Sequence, residues 1–222
     1  MTSAVSGAGP NQGPAPPRSG RDQPSGLLWL VRHGETRWSR SHQHTGRADL
    51  PLTRLGEQQA SGLASMLSGL RPELVLCSPR RRAMDTARLA GFAVTVAEDL
   101  VEWDYGDYEG LTTAQIREGR PGWTIWTGDP PGGETAGDVA ARADRLLVRV
   151  RASLTDGDVL LFGHGHFFRV LAARWLGLPA SAGGMFILGP AAPCVLGHEY
   201  GSPAVLHWNL TDPGEIIRRR TR

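Results

Sequence analysis

The chain has 222 residues, 40% of them hydrophobic, and its 24 basic side chains nearly cancel 22 acidic ones, for a net charge of +2. That length supports one large α/β domain with a buried core, and so even a charge balance argues against a dedicated nucleic-acid binder. Every basic residue is arginine, which excludes a P-loop lysine and a Schiff-base lysine, while the two cysteines, Cys77 and Cys194, are too few for a disulfide framework or a zinc cage.

Residues 1–25 are rich in Gly, Pro and Ser and nearly free of apolar side chains, so they are expected to be a disordered extension. No signal-peptide core occurs there, and no apolar run approaches the ~18 residues of a membrane span, so a soluble, cytoplasmic protein is expected. Leu27 to Val31 is a continuous apolar run suited to a strand buried on both faces. Thr53 reads as the N-cap of a helix over 54–68 whose inward stripe is Leu63, Met66, Leu67 and Leu70. Leu74 to Cys77 reads as a second strand, followed by Ser78 as N-cap and Pro79 as first residue of a helix reaching Ala90. Val94 to Val96 makes a third strand. Capping boxes at Thr112 with Gln115 and at Thr135 with Asp138 open two more helices, the second through Ser153. Val159 to Phe162 is another apolar strand, His166 to Leu176 a helix stopped by Gly177, and strands over 194–200 and 204–210 turn through Gly201, Ser202 and Pro203. The alternation predicts a single α/β domain over 26–212, with a mostly parallel central sheet flanked by helices on both faces. Residues 213–222 form a basic tail.

Three strand ends carry chemistry. The first strand delivers Arg32 and His33, the second leads into a helix start bearing Arg80, Arg81 and Arg82, and the strand from Val159 delivers Gly163, His164, Gly165 and His166. Parallel sheets hold ligands beyond their carboxyl ends. Two arginines, two histidines and two helix N-termini around one point describe a site for a phosphoryl dianion. Residues 102–111 supply the carboxylates for proton transfer, among them Glu102, Asp104, Asp107 and Glu109. Each residue has a plainer reading. Arg80 and Arg81 suit an exposed helix surface, Glu109 suits orientation of loop backbone, and Trp123 and Trp126 suit packing as well as a roof over the pocket. His42 with His44, and His164 with His166, have a spacing metal sites use, without a third clear ligand.

The motifs Arg32-His33-Gly34-Glu35-Thr36, Leu52-Thr53 with Gly56 and Gln59-Ala60, Ser78-Pro79 with Arg82-Ala83 and Thr86-Ala87, Glu102 with Gly106 and Glu109-Gly110, Gly132-Gly133-Glu134, and His164-Gly165 follow one another over 27–210. In these the chain resembles the histidine phosphatases, the phosphoglycerate mutase-like superfamily. It is closest in motif to the actinobacterial broad-specificity acid phosphatases and to fungal sedoheptulose bisphosphatase. The resemblance implies a phosphoglycerate mutase-like fold with His33 as the phosphorylated nucleophile. Arg32, Arg82 and His164 would hold the phosphoryl oxygens, and Glu102 would serve as general acid and then base. It further implies substrate contacts at Ser39, Thr45, Gly46 and Gly165. Ser39 stands where many members carry asparagine, and Thr45 is the alternative source of that phosphate contact.

Mutases of this family carry a long insert after the Glu motif with a paired arginine. Here only about 22 residues separate Gly110 from Gly133, and Arg117 and Arg120 are not adjacent. The expected activity is therefore a phosphatase for small phosphomonoesters, with phosphoglycerate mutase and protein phosphohistidine phosphatase as alternatives. The scheme uses no metal and no cofactor. The expected partner is a small phosphorylated metabolite such as a sugar phosphate, without nucleic acid or membrane, and a homodimer is left open.

Overall fold

Strand β1, Leu28–Arg32, carries no polar residue before its last position, and side chains cover both of its faces. Leu28 and Leu30 join one apolar cluster with Val139, Leu161 and Phe167, whereas Trp29 and Val31 join another with Leu63, Ala83 and Phe162. The period-two alternation thus divides one strand between two cores, as a sheet with helices on both faces requires. The remaining strands are β2 (Leu74–Cys77), β3 (Thr95–Val96), β4 (Val159–Gly163), β5 (Pro193–Glu199) and β6 (Ser202–His207). They form one six-stranded sheet of order β3-β2-β4-β1-β5-β6. β1 pairs parallel with β4, and β2 parallel with β3 and β4, while β5 runs antiparallel to both β1 and β6. Only β5 opposes the rest. The computed structural model describes residues 26–210, so the expected disordered extension over 1–25 and the basic tail over 213–222 lie outside the described residues.

Among the described residues six α-helices accompany the sheet: α1 (Arg37–Arg40), α2 (Arg54–Met66), α3 (Arg81–Leu89), α4 (Thr113–Gly119), α5 (Ala136–Ser153) and α6 (Gly165–Trp175). Residues of α2 and α3 pack on one face, and residues of α5 and α6 on the other. Register sets Arg32 beside Gly163 and Cys77 beside Phe162, so the carboxyl ends of β1, β2 and β4 share one edge. Among the described residues no helix is long and apolar enough to cross a membrane.

Thr53, Thr112 and Thr135 cap their helices as the sequence predicts. Three local readings need correction. α3 begins at Arg81, with Arg80 at its N-cap and no side-chain cap; the Ser78 hydroxyl accepts the Arg80 N–H ahead of the helix, at 3.3 Å, and lies 2.8 Å from His164 Nε2. α6 begins one residue early, at Gly165, with His164 at the cap position. The last hairpin turns through Tyr200 and Gly201, at φ of 49° and 83°, the left-handed pair a two-residue connection needs. Ser202 and Pro203 therefore open β6, an edge strand where proline is tolerated. Helix α1 was not foreseen; its capping box joins Thr36 and Ser39.

Candidate active site

The ladder between β1 and β4 runs on past Arg32, since the His33 N–H donates to the Gly163 carbonyl at 2.9 Å. His33 is buried, and its Nδ1 lies 2.8 Å from the Gly34 carbonyl. A carbonyl only accepts, so Nδ1 carries the proton and Nε2 keeps its lone pair. Burial pushes the His33 imidazolium well below the usual histidine range, and the Arg82 and Arg32 charges push the same way. Arg32 donates through Nη1 to the Leu188 carbonyl at 2.6 Å, and its Nε is buried without a partner among the described residues. Gly165 leaves room for that guanidinium, because a Cβ there would stand 3.1 Å from Arg32 Nε. The Gly34 N–H donates to Thr86 Oγ1, whose hydroxyl donates to the Arg82 carbonyl, so α3 is tied to the loop after His33.

Arg82 is fully buried and engaged on every nitrogen. Nε donates to His164 Nδ1 at 3.2 Å, Nη1 to the Ala48 carbonyl, and Nη2 to the carbonyls of Thr45 and Gly46. His164 thus accepts at Nδ1 and donates from Nε2 to Ser78 Oγ, and its ring centroid lies 5.3 Å from that of His33. Burial, then the Arg82 charge, holds His164 well below its ordinary pKa. The Glu109 carboxylate accepts the N–H groups of Gly46, Arg47 and Ala48, which fixes the loop that feeds Arg82 its carbonyls. Glu109 therefore orients loop backbone.

Glu102 faces the other side of the site. Its carboxylate accepts three backbone N–H groups, from Trp103 (2.9 Å), His166 (3.0 Å) and Phe167 (2.8 Å), the last two from the first turn of α6. The segment behind it is clamped by Arg142 of α5. That guanidinium grips Glu134 at 2.7 and 2.8 Å and also donates to the carbonyls of Asp99 and Val101. Glu134 in turn accepts the Asp104 N–H.

A cavity of about 350 Å³ opens over these groups, lined among others by Arg32, His33, Glu102, Ser39, Thr45 and Gly165. Gly46, Arg82 and His164 do not line it. The Ser39 hydroxyl is committed to Thr36, accepting its N–H and donating to its carbonyl. Trp126 lines the cavity beneath the Arg169 guanidinium, 4.3 Å from its ring, whereas Trp123 packs against His44 and Tyr108. Phe167 is core, under Arg142. Arg80 corrects the expectation of an exposed side chain: it is half-buried, with Nε unpartnered among the described residues, while Arg81 is exposed and pairs with Asp85. His44 lies against Tyr105 and Thr113, and among the described residues no group of three or more His, Cys, Asp or Glu could hold a metal.

Sequence reasoning missed Ser78, Arg142 and Arg169 as parts of this site. Arg169 had a signal, since it follows His166 by three residues in one helix and shares its face. The arrangement brings together an uncharged imidazole with a free lone pair, a guanidinium that lines the cavity and a carboxylate, a set that suits attack on an anionic phosphorus centre with proton transfer to the departing oxygen.

The family model for the histidine phosphatase superfamily (branch 1) matches residues 28–211. The chain is 46% identical over 178 residues to an acid phosphatase of Mycobacterium tuberculosis, covering 78% of this chain and 87% of that one. It is 37% identical over 181 residues to sedoheptulose 1,7-bisphosphatase of Saccharomyces cerevisiae, covering 67% of each. Among solved structures, the mycobacterial glucosyl-3-phosphoglycerate phosphatase in complex with VO3 superimposes with a TM-score of 0.75 at 33% identity, over 84% of this chain and all of that one. The product of an open reading frame of M. tuberculosis superimposes with a TM-score of 0.82 at 43% identity, over 84% and 98%.

Proposed function

The chain belongs to the histidine phosphatase superfamily, and from that premise we propose that it hydrolyses small phosphomonoesters through a phosphohistidine formed on His33. The observation that carries this reading is the state of His33, with Nδ1 bonded to the Gly34 carbonyl and an uncharged Nε2 beside the cavity. The Nε2 lone pair attacks phosphorus, the P–O ester bond breaks, and Glu102 gives its proton to the leaving oxygen. Glu102 then takes a proton from water, whose oxygen attacks phosphorus and breaks the P–N bond. Charge growing on the equatorial oxygens meets Arg32 directly. Arg82 and His164 complete the phosphoryl pocket, with substrate oxygens replacing part of their present internal bonding. Each such contact is worth about 3 kcal/mol in the transition state. The named phosphatases among its relatives support a sugar phosphate or similar metabolite as substrate.

A turnover screen over sugar phosphates, phosphoglycerates and nucleotides tests the substrate class, and labelling tests the mechanism. A 32P-labelled substrate quenched in alkaline denaturant, which preserves phosphohistidine, should label the wild type and leave His33→Ala unlabelled and inactive. Label persisting in His33→Ala would remove His33 as nucleophile.

A further inference from the structure

Beside Glu102 stands a pair of side chains that the reaction above does not use. The Tyr105 hydroxyl lies 2.5 Å from His166 Nδ1, and Tyr105 is buried at 2% exposure. Among the described residues Nδ1 is the one acceptor this hydroxyl reaches, and a buried O–H left without an acceptor is costly. Tyr105 therefore donates, which leaves His166 with its proton on Nε2. That nitrogen has no protein partner among the described residues and is open to the cavity the ring lines. The ring is fixed from several sides, with its centroid 5.1 Å from that of Trp126 and its own backbone N–H bonded to Glu102 Oε2. Burial, and then the Arg169 charge, keeps the imidazole uncharged. An uncharged N–H held in the cavity wall next to the proposed general acid is where a departing alcohol would pass, and it suits a neutral oxygen better than a phosphate.

Resting on the phosphatase reading, we propose that His166, with its tautomer set by Tyr105, is a specificity-determining residue that donates its Nε2–H to a hydroxyl oxygen of the leaving alcohol. The enzyme then selects phosphate esters of polyols over those of plain alcohols. Tyr105 is a positioning residue in this scheme, acting only through the imidazole.

Glycerol 1-phosphate and n-propyl phosphate differ by two hydroxyls and provide the probe. In the wild type, kcat/KM should favour the glycerol ester by about tenfold, the worth of one net hydrogen bond. In His166→Phe and Tyr105→Phe that ratio should fall towards one. Damage to the fold lowers both rates together and leaves the ratio where it was, so an unchanged ratio in both variants overturns the proposal, as does a wild type that hydrolyses both esters equally. Hydrolysis of neither ester would count against the phosphatase reading itself. Independently of turnover, 15N spectra of histidine-labelled protein at neutral pH should show His166 as the Nε2–H tautomer, with the resonance assigned by its loss in His166→Phe. An Nδ1–H tautomer overturns the proposal.

Discussion

Glu102, the proposed general acid, is the residue whose setting the bonding fixes most closely. Its Oε1 accepts two backbone N–H groups and its Oε2 a third, so Glu102→Gln keeps the first two bonds and loses the third along with the proton donor. A general acid matters more as the leaving group becomes poorer, and its loss costs ~10²-fold or more with an alkoxide. Glu102→Gln should therefore lose at least about 10²-fold on a sugar phosphate and much less in the phosphorylation step with p-nitrophenyl phosphate. Burst-phase kinetics isolate that step, because the second half-reaction needs the same group as base. Equal losses in it would mean that Glu102 is not the acid. At this scale the sequence showed Arg32, His33 and His164 plainly, since they follow apolar strand runs. Ser78 was concealed because serine before proline is also a helix-start signal, and its hydroxyl meets the His164 ring as well as the Arg80 N–H. Arg142 was concealed because it lies inside a long amphipathic helix, where nothing local separates a buried clamp from a solvated arginine.

Elements meet around the site with little slack, and glycines mark where. A Cβ on Gly56 in α2 would lie 2.1 Å from the Glu35 carbonyl oxygen, a backbone atom of the loop after His33. Gly62 in the same helix meets nothing within 4 Å. Gly56→Ala should thus destabilise by about 2 kcal/mol or more through forced displacement, whereas Gly62→Ala should stabilise by about 0.5–1 kcal/mol through helix propensity. Urea unfolding of the two variants distinguishes them; equal effects would mean that α2 does not press on the loop. Helix and strand existence was legible because the periodicities are clean and three threonine caps are local signals. The start of α3, the hairpin turn and α1 were not, since each is decided by contacts or backbone angles that no nearby residue announces.

For the whole molecule, building a site from buried histidines makes stability depend on pH. His33, His164 and His166 are all held well below their ordinary pKa, chiefly by burial, and burial brings His44 down to about 4. At neutral pH the folded chain leaves them unprotonated and the unfolded chain protonates only a minority of them. Below about 6.5 the unfolded chain takes up protons that the native state refuses, so stability falls as pH drops towards the folded values. His44 alone accounts for about 2 kcal/mol between pH 7 and pH 5. Urea unfolding should show at least that loss for the wild type and a smaller one for His44→Gln; equal stability at both values would contradict the buried, neutral imidazoles. The sheet order adds a consequence of another kind. Leu28 of β1 pairs with Val159 on one side and Leu196 on the other. At ribosomal speeds of about 5–20 residues per second, on the order of ten seconds pass between synthesis of β1 and synthesis of its first neighbour. The strand that leads to His33 is thus made first of the six described and paired late. During that interval both hydrogen-bonding edges of β1 wait without a neighbour, and a half-made chain carries Arg32, His33, Arg82 and Glu102 but lacks His164 and the turn of α6 that holds the Glu102 carboxylate.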